Sequence, residues 1–110
     1  MPDGVPRTAG EGDVGLLTDW LTAFGREVND MDHGDLSASI RERFSYRGLT
    51  LWEADGRPVS VAGLTRRAAG MVRVGPVYTP PGLRGHGYAS AATAEVSRAA
   101  LAAGAEEVLL

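Results

Sequence analysis

Residues Tyr78 to Ser90 read YTPPGLRGHGYAS, with two prolines, three glycines, an arginine and a histidine set between an apolar run and an alanine-rich run. Upstream, Gly70 to Thr79 (GMVRVGPVYT) is apolar enough for a strand but carries Gly75-Pro76 in its middle. Proline has no amide hydrogen to give a ladder, so a strand holding one must bulge there or lie unpaired at an edge. Downstream, Gly87 to Ala103 (GYASAATAEVSRAALAA) is helix-forming, with Ala92, Val96, Ala99, Ala100 and Ala103 on one stripe and Gly104 as a C-cap. The remainder of the chain must therefore complete a bent strand, a Gly-rich turn and a helix whose small buried face packs close on a sheet.

Other elements follow from spacing. Residues 1 to 12 are rich in Gly and Pro and read as a loose lead-in. Leu17, Trp20, Leu21, Phe24 and Val28 recur at intervals of three and four, predicting a helix over 14–28 capped by Asp13. After the polar loop NDMDHGD, Asp35 is placed to cap a second helix with Leu36, Ile40 and Phe44 on its apolar face, ended by Gly48. Leu49 to Ala54 and Pro58 to Leu64 flank an Asp-Gly pair, the strongest short-range sign of a β-hairpin. Glu106 to Leu110 begins a further strand, parallel to the bent one if the crossover is the usual right-handed kind.

At 110 residues one domain spanning 1–110 is expected. No cysteine is present, which removes disulfides, thiolate metal sites and a covalent cysteine intermediate; no lysine is present either, which removes Schiff-base chemistry. Asp30, Asp32, His33 and Asp35 have metal-ligand residue types without metal-ligand spacing and read as a solvated loop, so no metal is expected. No apolar run reaches membrane-spanning length and no basic cluster with interleaved aromatics is present, so neither membrane nor nucleic acid is an expected partner, and a cytoplasmic location is expected. Residues 1–55 hold 11 acids against 5 arginines, residues 56–110 only 3 acids against 6, which places the Gly-rich turn in the positive half.

A turn between a strand and a helix N-terminus presents unpaired N–H groups and the positive end of a dipole, which suits a phosphate-like anion, with Arg84 adding a fixed charge. A Walker loop is excluded by the missing lysine. A dinucleotide fingerprint would need a third glycine where Ser90 stands, and a parallel sheet before it. What does fit is Arg84-Gly85-His86-Gly87-Tyr88-Ala89, which matches Arg/Gln-x-x-Gly-x-Gly/Ala.

With this motif, the preceding VGPVYTPP and the order of elements, the chain resembles the GNAT superfamily of N-acetyltransferases. The resemblance implies an α/β (α+β) fold: a mixed sheet with antiparallel N-terminal strands, a bulged fourth strand and a strand-helix-strand unit that binds acetyl-CoA. It implies that Arg84, Gly85, His86, Gly87, Tyr88 and Ala89 surround the coenzyme A pyrophosphate, and that Val77, Tyr78 and Thr79 lie along the pantetheine arm. The backbone N–H of Val77, beside the bulge, then polarises the thioester carbonyl for direct attack by a small-molecule or peptide amine. The family's usual acid and base positions are not covered, because its fourth strand here has no glutamate and the chain stops in the fifth strand. Glu53, through water, is the candidate base and Tyr78 the candidate acid. The alternative is a module that holds coenzyme A without turnover. By this reading the C-terminal part of the family fold is missing, so either the chain is a fragment or a second copy completes the sheet across Val108 to Leu110 as a homodimer.

Overall fold

The computed structural model, which describes residues 3–28 and 36–110, starts with a strand in place of the expected loose lead-in. Strand β1 (Val5–Thr8) runs antiparallel to β2 (Leu49–Ala54), with Val5 opposite Glu53 and Thr8 opposite Thr50. Its four residues are exposed or half-buried and show no alternation, so no periodic signal announces them. Pro6 is tolerated because an outermost strand needs donors on one side only. Ala9, just beyond, is buried, and its N–H donates to the Leu49 carbonyl at 2.9 Å.

Helices α1 (Val14–Glu27) and α2 (Leu36–Phe44) match their expected apolar spacings, although α2 ends four residues before Gly48. Asp13 does not cap α1 with its side chain. Its carboxylate instead accepts Arg7 Nη1, Arg7 Nη2 and the Gly10 N–H, each at 2.9 Å. The expected cap Asp35 lies outside the described residues, as do Asp30, Asp32 and His33.

The Asp55-Gly56 pair takes φ of 54° and 75°, the doubly positive geometry of a type I′ turn, and joins β2 to β3 (Arg57–Leu64) as an antiparallel hairpin. A second tight turn on Ala69 (53°) and Gly70 (79°) leads into β4 (Met71–Tyr78), so Gly70 closes a turn and does not start the strand. Helix α3 (Tyr88–Ala102) ends in a Schellman motif: Gly104 at φ 108° donates to the Leu101 carbonyl, and Ala105 donates to Ala100. Strand β5 (Glu107–Leu109) then lies parallel to β4, giving a mixed five-stranded sheet in the order β1-β2-β3-β4-β5.

Helices cover both faces. On one, α1 and α2 bury Leu17 and Ile40 against Leu49, Leu51, Val61 and Tyr78. On the other, Ala91, Ala92 and Val96 of α3 pack on Trp52, Val59 and Ala62. The expected stripe on α3 is half right: Ala92, Val96 and Ala100 are buried at four-residue intervals, while Ala99 and Ala103 are exposed. An alanine-rich helix offers too little contrast between its faces for spacing to choose among them. Val28, expected on the buried face of α1, is exposed at its end. Among the described residues no helix is long and apolar enough to cross a membrane.

Arg7 ties β1 to the rest, since its Nε also donates to Glu53 Oε2 at 2.9 Å. The Arg7 guanidinium holds the Asp13 carboxyl below its usual 3.8, helped by the Gly10 N–H and opposed by partial burial. A depressed carboxylate stabilises the fold at pH values above the unfolded value and ceases to do so as pH falls through the folded one. Asp13→Asn should therefore cost about 1 kcal/mol at pH 7, a low figure for a charged hydrogen bond because Arg7 is 40% exposed. Urea denaturation at pH 7 and pH 3 checks this, with the gap from wild type expected to shrink at pH 3.

Candidate functional site

The bent strand is bent where proline requires it. Ala62 of β3 faces Val77 and Leu64 faces Val74, so Gly75 and Pro76 together oppose the single residue Gly63. This is a β-bulge on β4, with a cis Gly75-Pro76 bond and Gly75 at φ 153°, a region that side chains disfavour. On the far side of β4, β5 pairs with Met71, Val72 and Arg73 only. From Val74 onward that edge of β4 has no partner strand among the described residues.

Beyond Tyr78 the chain makes a short 3-10 turn at Pro81–Leu83, extends through Arg84, and passes Gly85 and Gly87 at φ 86° and 81° into α3. The first intrahelical bond runs from the Ala91 N–H to the Gly87 carbonyl at 3.0 Å. Gly87 has no side chain with which to cap, so the N–H groups of Tyr88, Ala89 and Ser90 have no intrahelical acceptor. A cleft of about 430 Å³ lies along this edge. Phe24 and Glu27 of α1 with the following Val28 form one wall, and the end of β4, the loop and the first turn of α3 form the other.

Of the residues singled out from sequence, Val77, Tyr78, Thr79, Arg84, Gly85, Gly87, Tyr88 and Ala89 all line this cleft. His86 does not: it is exposed, with its ring 5.4 Å from that of Tyr88. Glu53 does not line it either, which corrects its expected role as base there. It stands on β2, separated from β4 by β3, and its carboxylate is held by Arg7.

Three lining side chains are already engaged. Tyr78 is buried against α1, its ring centroid 6.1 Å from that of Trp20. Ser60 donates its one hydroxyl hydrogen to the Tyr78 carbonyl at 3.1 Å, so in the 2.8 Å contact between Ser60 Oγ and Thr79 Oγ1 the threonine is the donor. Thr79 thus faces the cleft mainly through its backbone. Arg84 donates from Nε to the Thr79 carbonyl at 2.7 Å and from Nη2 to both Glu27 oxygens at 2.7 Å. Its charge is therefore not free as expected but shared with the opposite wall. Glu27, Leu83 and Ser90 were missed from sequence; Phe24 and Val28 were read only as core. An ion pair across 57 positions leaves no local signal.

Comparison with known proteins agrees with this geometry. The sequence profile of the Acetyltransferase (GNAT) family matches residues 15–110. A search of curated protein sequences finds no match. Among solved structures, the fold is similar to N-acetylglutamate synthase from Neisseria gonorrhoeae, complexed with coenzyme A and N-acetyl-glutamate. There the TM-score is 0.77 and the identity 16%, over 94% of this chain and 24% of that one. It is also similar to a GNAT family acetyltransferase from Brucella melitensis in complex with acetyl-CoA (TM-score 0.75, 16% identity, 98% of this chain and 75% of that one). A third, a Mycobacterium tuberculosis protein in complex with CoA, has a TM-score of 0.77 and 17% identity over 94% of this chain and 61% of that one. This chain thus spans about a quarter of the length of the first and three-fifths of the third. A bulged β4, the Gly-rich loop and a profile match over nearly the whole chain lead to one conclusion: this protein belongs to the GNAT family of acetyltransferases.

Proposed function

We propose that the cleft binds acetyl-CoA and that the chain transfers its acetyl group to an amine. The observation that carries this reading is continuity: one cleft runs from the end of β4 at Val77 into the N–H groups at the start of α3. A pantetheine arm contains amides and is extended, so it pairs with a free strand edge as an added strand would. Its pyrophosphate then meets the backbone of Gly85 to Ala89, where glycines let the amides approach.

At the bulge, the Val77 N–H faces the thioester carbonyl and stabilises the charge that develops on its oxygen. The neutral nitrogen of a small-molecule or peptide amine attacks the carbonyl carbon, the C–S bond breaks, and coenzyme A leaves as a thiol once it gains a proton. The amine loses its own proton to water, since Glu53 is committed to Arg7. Tyr78 supplies the proton to the departing sulfur. No acyl-enzyme is needed, in keeping with a chain that has no cysteine.

Calorimetric titration with acetyl-CoA, coenzyme A, NAD and ATP tests the donor, and acetyl-CoA is expected to bind most tightly; a preference for NAD or ATP would falsify it. Thiol release over a panel of amines tests transfer, and its absence with every amine would leave only a coenzyme A-binding module. Gly87→Val, which forces a bulky residue to φ 81°, should cost about 1–2 kcal/mol of stability and weaken acetyl-CoA binding at least about tenfold. Glu27→Gln removes a carboxylate from the anion's path and releases Arg84. Affinity for acetyl-CoA should rise about two- to fivefold in low salt, with the gain fading as ionic strength increases. Tyr78→Phe should keep that affinity and lower kcat about 10²-fold, an effect that unchanged turnover would rule out.

A further inference from the structure

We infer that Arg43 is a positioning residue for the acyl end of the cleft. It stands on α2, and its Nη1 donates to two carbonyls at once: Leu64 at 2.8 Å and Gly75 at 3.1 Å. Leu64 ends β3 where the register slips, and Gly75 is the first of the two residues that bulge from β4. One guanidinium therefore holds both strands at the point where their ladder fails. The Gly75 carbonyl belongs to the peptide unit immediately before the one that carries the Val77 N–H, so fixing the first limits the directions the second can take.

Gly63 supplies an independent observation. A Cβ built on it would lie 2.8 Å from the Gly75 oxygen, 3.1 Å from Arg43 Nη1 and 3.1 Å from Pro76 Cδ. The bulge, the proline and the arginine all occupy the space that a side chain at 63 would take. The residue facing the bulge is thus shaped around the Arg43 contact as well as around β4. Helix α2 is carried by Leu36, Ile40 and Phe44 on the core of α1, so the guanidinium reaches the bulge from a fixed base.

This inference rests on the reading of the cleft as an acetyl-CoA site, and it divides that ligand in two. The acyl end and pantetheine arm depend on the bulge; the pyrophosphate end depends on the loop and α3, which Arg43 does not touch. The probes are acetyl-CoA and 3′-phospho-ADP, the part of coenzyme A that lacks the pantetheine arm. Arg43→Met keeps the apolar stem and removes the donors. It should weaken acetyl-CoA about tenfold and lower kcat for any amine that wild type acetylates, with 3′-phospho-ADP affinity held within about twofold. Arg43→Lys, which restores a charged donor, should recover most of the loss. If Arg43→Met does not fold, Gly63→Ala applies the same test by displacing the Gly75 carbonyl with Arg43 in place, and the same selective loss is expected. Unchanged acetyl-CoA affinity and turnover, or equal weakening of both probes, would overturn the role of Arg43 while leaving the donor assignment standing. Wild type that binds neither probe would overturn the donor assignment, and this inference with it.

Discussion

Between Ala62 and Leu64 of β3 there is one residue, and between Val74 and Val77 of β4 there are two. A sheet can absorb that mismatch only by bulging, and the extra residue has to be one that gives up nothing by leaving the ladder. Pro76 has no N–H to lose, and Gly75 accepts a backbone angle that a Cβ would resist. Both sides of the bulge matter to the cleft. Upstream, β4 pairs with both β3 and β5; downstream, Val77 and Tyr78 pair with β3 and line the cleft.

What was legible in the sequence is what depends on neighbours. The Asp55-Gly56 turn, the strands on either side, the bulge and the glycines before α3 each follow from a local steric rule, and each stands where it was read. What could not be read depends on long-range pairing of polar side chains. Val5–Thr8 is a strand through its pairing with β2, tied further by Arg7 to Asp13 and Glu53, with no apolar pattern to announce it. The same contact engages Glu53, which β3 separates from the cleft where a base was expected. Arg84 is marked by its position in a motif, but its partner Glu27 stands 57 positions away on a helix whose spacing speaks only for its apolar face.

The two sheet faces contribute unequally to the site. On the α3 side the buried side chains of the helix are alanines and one valine, so the helix axis can lie close to the sheet and its first turn reaches the level of the β4 terminus. On the α1 side the packed residues are larger: Leu17, Trp20, Leu21 and Phe24. The end of α1 supplies one wall of the cleft through Phe24, Glu27 and the following Val28, and the start of α3 supplies the other.

Charge across that gap is arranged in opposition to an anionic ligand as well as in favour of one. The start of α3 is electropositive through its unpaired N–H groups and dipole, while Glu27 sets a carboxylate on the opposite wall and engages Arg84. Both partners are more than two-fifths exposed, so water and salt weaken their attraction, and an incoming phosphate can compete for the same guanidinium. The Nε bond from Arg84 to the Thr79 carbonyl lies apart from that competition, because it anchors the stem of the side chain and not its tip. Arg84 can exchange one anion for another at Nη2 while its Nε continues to fix the loop to the end of β4. The Nε bond thus keeps the loop in shape, and the charge that Glu27 engages is the same charge that a phosphate would claim.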